Sequence, residues 1–208
     1  MLIQARCNDQ QGGFSLPEML LAMLFSSMMM VSVAAMYPEL QRQSMSLYRL
    51  YRLEQSMRQV LLMVEKDMRR AGFLLGDGNG KESNGIRLSA HTQSEPNSCM
   101  IVQYDLNHNG VIDPPESAMA EQFAYRWLNG TVEQARGTEN CHGSGWEKLL
   151  DPAEIVITQF LIERVAQDRL PDASPADASG YFIITLAGHW KRWPALTRRL
   201  TSRVRERH

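Results

Sequence analysis

Between Asp105 and Glu116 the chain reads Asp-Leu-Asn-His-Asn-Gly-Val-Ile-Asp-Pro-Pro-Glu. Side-chain oxygens fall at relative positions 1, 3, 5, 9 and 12, and Gly110 stands at position 6, where a tight loop must turn. This is the spacing of an EF-hand loop, in which hard oxygen ligands surround Ca²⁺. The candidate ligands are Asp105, Asn107, Asn109, the backbone carbonyl of Val111, Asp113 and Glu116, with Ile112 as an apolar anchor. A strand is predicted to end at Tyr104, and Pro114-Pro115 stops a following helix. The expected site is therefore an EF-hand-like loop in a β context, and its Ca²⁺ would be structural. The competing reading is an Asx-rich turn whose side chains bond only their own backbone. His108 occupies a non-ligand position.

Little else in the chain is arranged for chemistry. No Gly-x-Ser-x-Gly elbow occurs. His91, His108, His142, His189 and His208 show no metalloprotease spacing. Glu65 and Asp67 sit on the flank of a predicted helix and need no catalytic role. No catalytic residue is assigned, and the expectation is a protein that is not an enzyme. A membrane-tethered, calcium-dependent periplasmic hydrolase is the reading from another class, and these absences count against it.

The elements that must carry the loop begin at the N-terminus. Gly12-Gly13-Phe14-Ser15-Leu16-Pro17-Glu18 joins a polar leader to an apolar run that reaches Tyr37. Glu18 is the one carboxylate in that run, which has no Lys, Arg or His. As a helix it would rise about 36 Å, enough to cross a bilayer core. A secretory signal is cut after its apolar segment; here the Gly pair precedes it. A charge inside a membrane helix costs about 2.5–3.5 kcal/mol on insertion scales, and the alternative for Glu18 is to snorkel to the interface. This order of residues resembles the prepilin signal of type IV pilins and type II secretion pseudopilins. The resemblance implies cleavage between Gly13 and Phe14 by a prepilin peptidase, N-methylation of Phe14, and pairing of Glu18 with the amino terminus of a neighbouring subunit during assembly. A plain single-pass anchor is the other reading.

Composition bounds the rest. The formal net charge of −1 gives no reason to invoke nucleic acid. Lys191, Arg192, Arg198, Arg199, Arg203, Arg205 and Arg207 crowd the C-terminus, either as a solvated strand face or as contacts for an acidic subunit or anionic lipid. If the leader is removed, Cys7 goes with it and Cys99 and Cys141 are left. An even count in a translocated domain suggests a disulfide, with two buried thiols as the alternative.

Past the apolar run, Pro38 should kink the helix or mark its exit from the membrane. Leu47, Leu50, Met57, Leu61, Val64, Met68 and Ala71 then recur at helical steps, interrupted by Glu54, with Gly72 as a stop. Turn-forming connectors are expected over Gly76 to Gly85 and Leu170 to Gly180. Strands are expected at Ile86–Leu88, Cys99–Tyr104, across Phe123, Tyr125 and Trp127, after the Asn129-Gly130 turn, within Glu154–Val165, at Tyr181–Leu186 and at Leu196–Val204. The predicted segments are a leader at 1–13, a transmembrane half-helix at 14–37, an amphipathic half-helix at 38–72 and a β-rich head at 73–208. The fold class is α+β: a long N-terminal helix packed on an antiparallel sheet.

Asp67-Met-Arg-Arg-Ala-Gly-Phe73 resembles the helix-to-head junction of minor pilins of the PilW/PulJ type. The segments from Cys99 through Asp113 and from Asn140 to Trp146 are similar to the prepilin peptidase-dependent protein B group of enterobacterial minor pilins. The resemblance implies a minor pilin that primes or caps a type IV pilus, or else a minor pseudopilin of a type II secretion system. Its implied partners are the prepilin peptidase/methyltransferase, other minor and major pilins, and the inner membrane, with the head in the periplasm.

Overall fold

The computed structural model describes residues 13–75, 85–165 and 180–205. Most of the leader with Cys7, nearly all of the two expected connectors, and the terminal Arg207 and His208 lie outside these residues. The chain divides into two units, Met1–Tyr48 and Arg49–His208.

One helix, α1, spans Leu16–Arg70 and runs through Pro38 without a break in its assignment. Proline removes one N–H from the ladder and leaves the carbonyl one turn earlier without that partner. Ser15 and Glu18 stand three residues apart at the start, the spacing of a capping box, and the Glu18 N–H lies 3.0 Å from the Ser15 carbonyl. In the first unit the apolar side chains from Phe14 to Leu40 are exposed, and one window of the helix is long and apolar enough to cross a membrane. In the second unit Leu53, Met57, Val60, Leu61, Val64, Asp67 and Met68 are buried. Their three- and four-residue steps form one face. Leu47, expected on that stripe, is exposed, because the buried face begins only at Leu53. Glu54 stays at the edge of the face, paired with Arg58 at 2.7 Å and Arg198 at 3.3 Å. Gly72 has φ +75° and ends the helix, as a left-handed residue after the last turn does.

The head holds two antiparallel sheets, where one was expected. The first contains β1 (Ile86–Ser89), β2 (Cys99–Gln103), β3 (Gln122–Leu128), β4 (Thr131–Arg136) and β5 (Glu147–Lys148), in that order. The second is a three-stranded meander of β6 (Ile155–Val165), β7 (Tyr181–Trp190) and β8 (Trp193–Arg205). Asn129 and Gly130, both at positive φ, turn β3 into β4, pairing Trp127 with Val132. The sheets meet where the Ile157 N–H donates to the Gly130 carbonyl at 2.7 Å and the Ile162 N–H to Asn97 at 3.0 Å. The last strand starts at Trp193, three residues before the predicted start, because Lys191 and Arg192 form the turn from β7.

The α1 stripe, Met100, Val102, Tyr125 and Val132 of the first sheet, and Ile157, Phe160, Ile184 and Leu186 of the second form one core. Strand alternation sends Phe123, Tyr125 and Trp127 to that side. On the opposite face Cys99, Ile101, Ala124 and Cys141 form a second small cluster under Trp146.

Candidate functional site

The 105–116 loop leaves β2 directly. Asp105 is buried, and its N–H donates to the Phe73 carbonyl at 2.7 Å, so the loop is anchored to the end of α1. Its carboxylate accepts from the backbone N–H groups of Gly110 at 2.8 Å, Leu75 at 3.1 Å and Asn109 at 3.1 Å. Burial works against ionisation there, but donation from Gly110, Leu75, Asn109 and His108 outweighs it and holds the carboxyl below its ordinary pKa. Asn107 Oδ1 accepts the Asn109 N–H, and Asn109 Oδ1 accepts the Val111 N–H. Asn107 Nδ2 donates to Asp113 Oδ2 at 2.7 Å. His108 and Gly110 take positive φ, +61° and +80°, which fold the chain tightly around Asp105.

Hydrogen bonds thus bring Asp105, Asn107, Asn109 and Asp113 together, with Val111 tied in through its N–H. Glu116 is exposed and has no side-chain partner among the described residues, so the Pro114-Pro115 turn does not return it to the others. Among the described residues no three His, Cys, Asp or Glu side chains are grouped to hold a metal ion. Asn107, Asn109 and Asp113 each retain an oxygen lone pair beyond these bonds, whereas the four N–H donors occupy the acceptor sites of the Asp105 carboxylate, counted from acceptor capacity.

The spacing gave no sign of Glu121. It is wholly buried and accepts the N–H groups of Leu106 at 2.7 Å, Asn107 at 3.0 Å and Asp113 at 3.1 Å. It ties both ends of the loop to the start of β3. The neighbouring Gln122 Nε2 donates to the Asp113 carbonyl at 3.0 Å.

Asp67 corrects another expectation. It does not sit on a solvated flank: it is buried and accepts the phenol hydroxyls of Tyr104 at 3.0 Å and Tyr125 at 2.5 Å. Burial and the Asp67 charge push the Tyr104 phenol up to about 12, and burial with the Asp67 bond raises Tyr125 as well. Glu65 instead faces Arg69 at 3.6 Å.

Cys99 and Cys141 are joined, with Cα atoms 6.2 Å apart. Beside them Arg126, directly across from Cys99 in the register, is buried and paired with Glu133 at 2.9 Å. It also donates to the Cys141 carbonyl at 2.9 Å, and its guanidinium lies 4.0 Å from the centre of the Trp146 ring. At the N-terminus Gly13 and Phe14 are exposed ahead of α1, and Glu18 is exposed in its first turn. His108 is exposed, edge-on to Phe73 at 5.5 Å.

Residues 46–206 match the family model of prepilin peptidase-dependent protein B. A protein of that name from Escherichia coli K12 is 34% identical over 155 residues, covering 74% of this chain and 79% of its own length. An uncharacterized protein of Haemophilus influenzae is 27% identical over 153 residues, covering 52% of this chain and 64% of that protein. No solved structure matches the chain. The family match starts at Ser46, so it covers the head and the second part of α1 and leaves the Gly13–Glu18 segment outside. On the matched length and on the identity to the Escherichia coli protein, the chain belongs to the prepilin peptidase-dependent protein B family.

Proposed function

We propose that this chain is a minor pilin: a non-enzymatic subunit that a prepilin peptidase cuts between Gly13 and Phe14 and methylates at Phe14, and that then primes or caps a type IV pilus. The observation that carries this reading is the Gly pair directly ahead of an exposed apolar helix, on a head whose family is named for dependence on that peptidase. The helix is held in the inner membrane, the head lies in the periplasm, and Glu18 pairs with the amino terminus of a neighbouring pilin. Intact mass and N-terminal sequence of the membrane-extracted protein test processing. Co-fractionation with pili, against co-fractionation with a type II secretion machine, tests the assembly. Retention of the leader in cells with active peptidase overturns the reading.

Two features of the head follow from this placement. The Cys99–Cys141 bond persists in an oxidising periplasm. The Asp105–Asp113 loop takes a structural Ca²⁺ through its remaining oxygens and the Val111 carbonyl; the ionised Asp105 and the ligand spacing support this, while Glu116 is left out.

A further inference from the structure

A groove of about 660 Å³ opens between the last turns of α1 and strands β3–β4, within the size range of ligand sites. One of its walls is a ladder of rings and cations. Tyr104 and Phe123 stack with centroids 4.8 Å apart and planes 15° from parallel. The Arg70 guanidinium lies 5.8 Å from the centre of the Tyr104 ring, and the Arg136 guanidinium 5.4 Å from that of Phe123. Arg136 is also anchored by its Nε donating to the Ala120 carbonyl at 2.7 Å. Two cations from opposite sides of the groove are therefore held in orientation before anything binds.

Lys66, one turn back on α1, is a third exposed cation on the same groove. None of the three makes an ion pair among the described residues. The helix dipole accounts for a basic residue in the last turn of α1, but not for Arg136 on β4. The groove also carries two carboxylates, Asp67, whose oxygens are buried against Tyr104 and Tyr125, and Glu147, whose Oε2 lies 3.5 Å from Gln134 Nε2, so the three cations outnumber them by one. Met63 and Leu106 add exposed apolar surface to the lining.

We infer that this groove docks an acidic segment of a second protein chain, its carboxylates meeting Arg70, Arg136 and Lys66 and its apolar side chains lying against Met63 and Phe123. Two orientated guanidiniums suit carboxylates, which they engage in bidentate fashion. The apolar wall between them favours a peptide over a bare anion. That the partner is a subunit of the same fibre rests on the minor pilin reading; the acidic chemistry does not.

The test places a photo-crosslinking amino acid at Met63 in the full-length protein, in cells that assemble the fibre, with Arg199 on the exposed side of β8 as the reference position. The expected adduct carries a peptide from a second chain with at least two carboxylates within about six residues, the number that two guanidiniums can engage. Lys66→Glu should lower its yield about tenfold, as should the pair Arg70→Glu and Arg136→Glu. Lys66 is exposed and makes no ion pair among the described residues, so its variant keeps the fold intact. Changing the captured carboxylates to Lys should restore the adduct with the reversed groove. An adduct to lipid, an adduct to an acid-poor segment, no adduct above the Arg199 level, or a yield indifferent to charge reversal each overturns the inference. Methylation of Phe14, scored in the same cells, keeps the two readings apart: an unprocessed chain counts against the minor pilin alone, and the adduct decides the groove in either case.

Discussion

Asp67 and Asp105 are both buried carboxylates, and each is held by a different kind of donor. Asp67 relies on two phenols that reach it from β3 and from the end of β2. Tyr125→Phe should cost about 1.5–3 kcal/mol in denaturant unfolding, because a charged group loses a hydrogen bond it cannot replace with water. The raised phenols also set an alkaline limit. A phenol whose pKa is higher in the folded state contributes stability that is complete below the unfolded value of about 10 and is lost as pH rises towards the folded value, about 12 for Tyr104. Tyr104→Phe should flatten that loss in a melting series above pH 10. Asp105 works at the other end of the scale. Its lowered pKa means that its contribution is present above the unfolded value of about 3.9 and disappears as pH falls through the folded one. Asp105→Asn should therefore lose stability at neutral pH and show a weaker acid dependence. If the loop binds Ca²⁺, the wild-type protein should gain about 2.7 kcal/mol at a hundred times the dissociation constant, and Asp105→Asn should lose that gain. A melting temperature unmoved by chelator would leave the loop as an Asx turn.

At the scale of elements, the second part of α1 supplies the core and the first part does not. Met57 is fully buried in the core to which both sheets contribute, so Met57→Ala should destabilise by about 2–5 kcal/mol. Leu47→Ala, at an exposed position of the same helix, should stay within about 0.5 kcal/mol. Denaturant titration of the two variants side by side checks where the stripe begins. The loop has its own anchor in Glu121. Glu121→Gln replaces one accepting oxygen with a donor, which then faces a backbone N–H, and should cost about 1–3 kcal/mol. The periodicity of α1 and the alternation of β3 could be read directly from the chain. Glu121 could not, since nothing in its neighbours Ala120 and Gln122 hints that three N–H groups will converge on it.

For the molecule as a whole, the prediction concerns assembly. Glu18→Ala removes a charge that membrane insertion disfavours, so processing and insertion should remain near wild type. If Glu18 pairs with a neighbouring amino terminus as proposed, pilus incorporation should fall, because that amine would lose its counter-charge in lipid. Pilus numbers and the processed fraction, measured in a strain without the wild-type copy, separate the two effects; normal pilus numbers would count against the pairing. Glu18→Gln keeps the side-chain size while removing the charge, so it should lose assembly as Glu18→Ala does if pairing is what matters.

What the sequence determined by itself is what a short segment can decide alone. The apolar run from Phe14 to Tyr37, the stop at Gly72, the Asn129-Gly130 hairpin and the strand periods all act over a few residues. So do the Asx bonds that fold Asp105 to Asp113. Tertiary structure decided the rest. Asp67 looked like a flank residue because its two phenols stand 37 and 58 positions away. The split into two sheets follows from β6 hydrogen-bonding to Asn97 and Gly130 beside the first sheet, with its remaining ladder running to β7. The ladder from Arg70 through Tyr104 and Phe123 to Arg136 draws on α1, the end of β2, β3 and β4, with no shared spacing. Local periodicity reports which face of an element is apolar, and only packing brings two faces, and the charges between them, to one place.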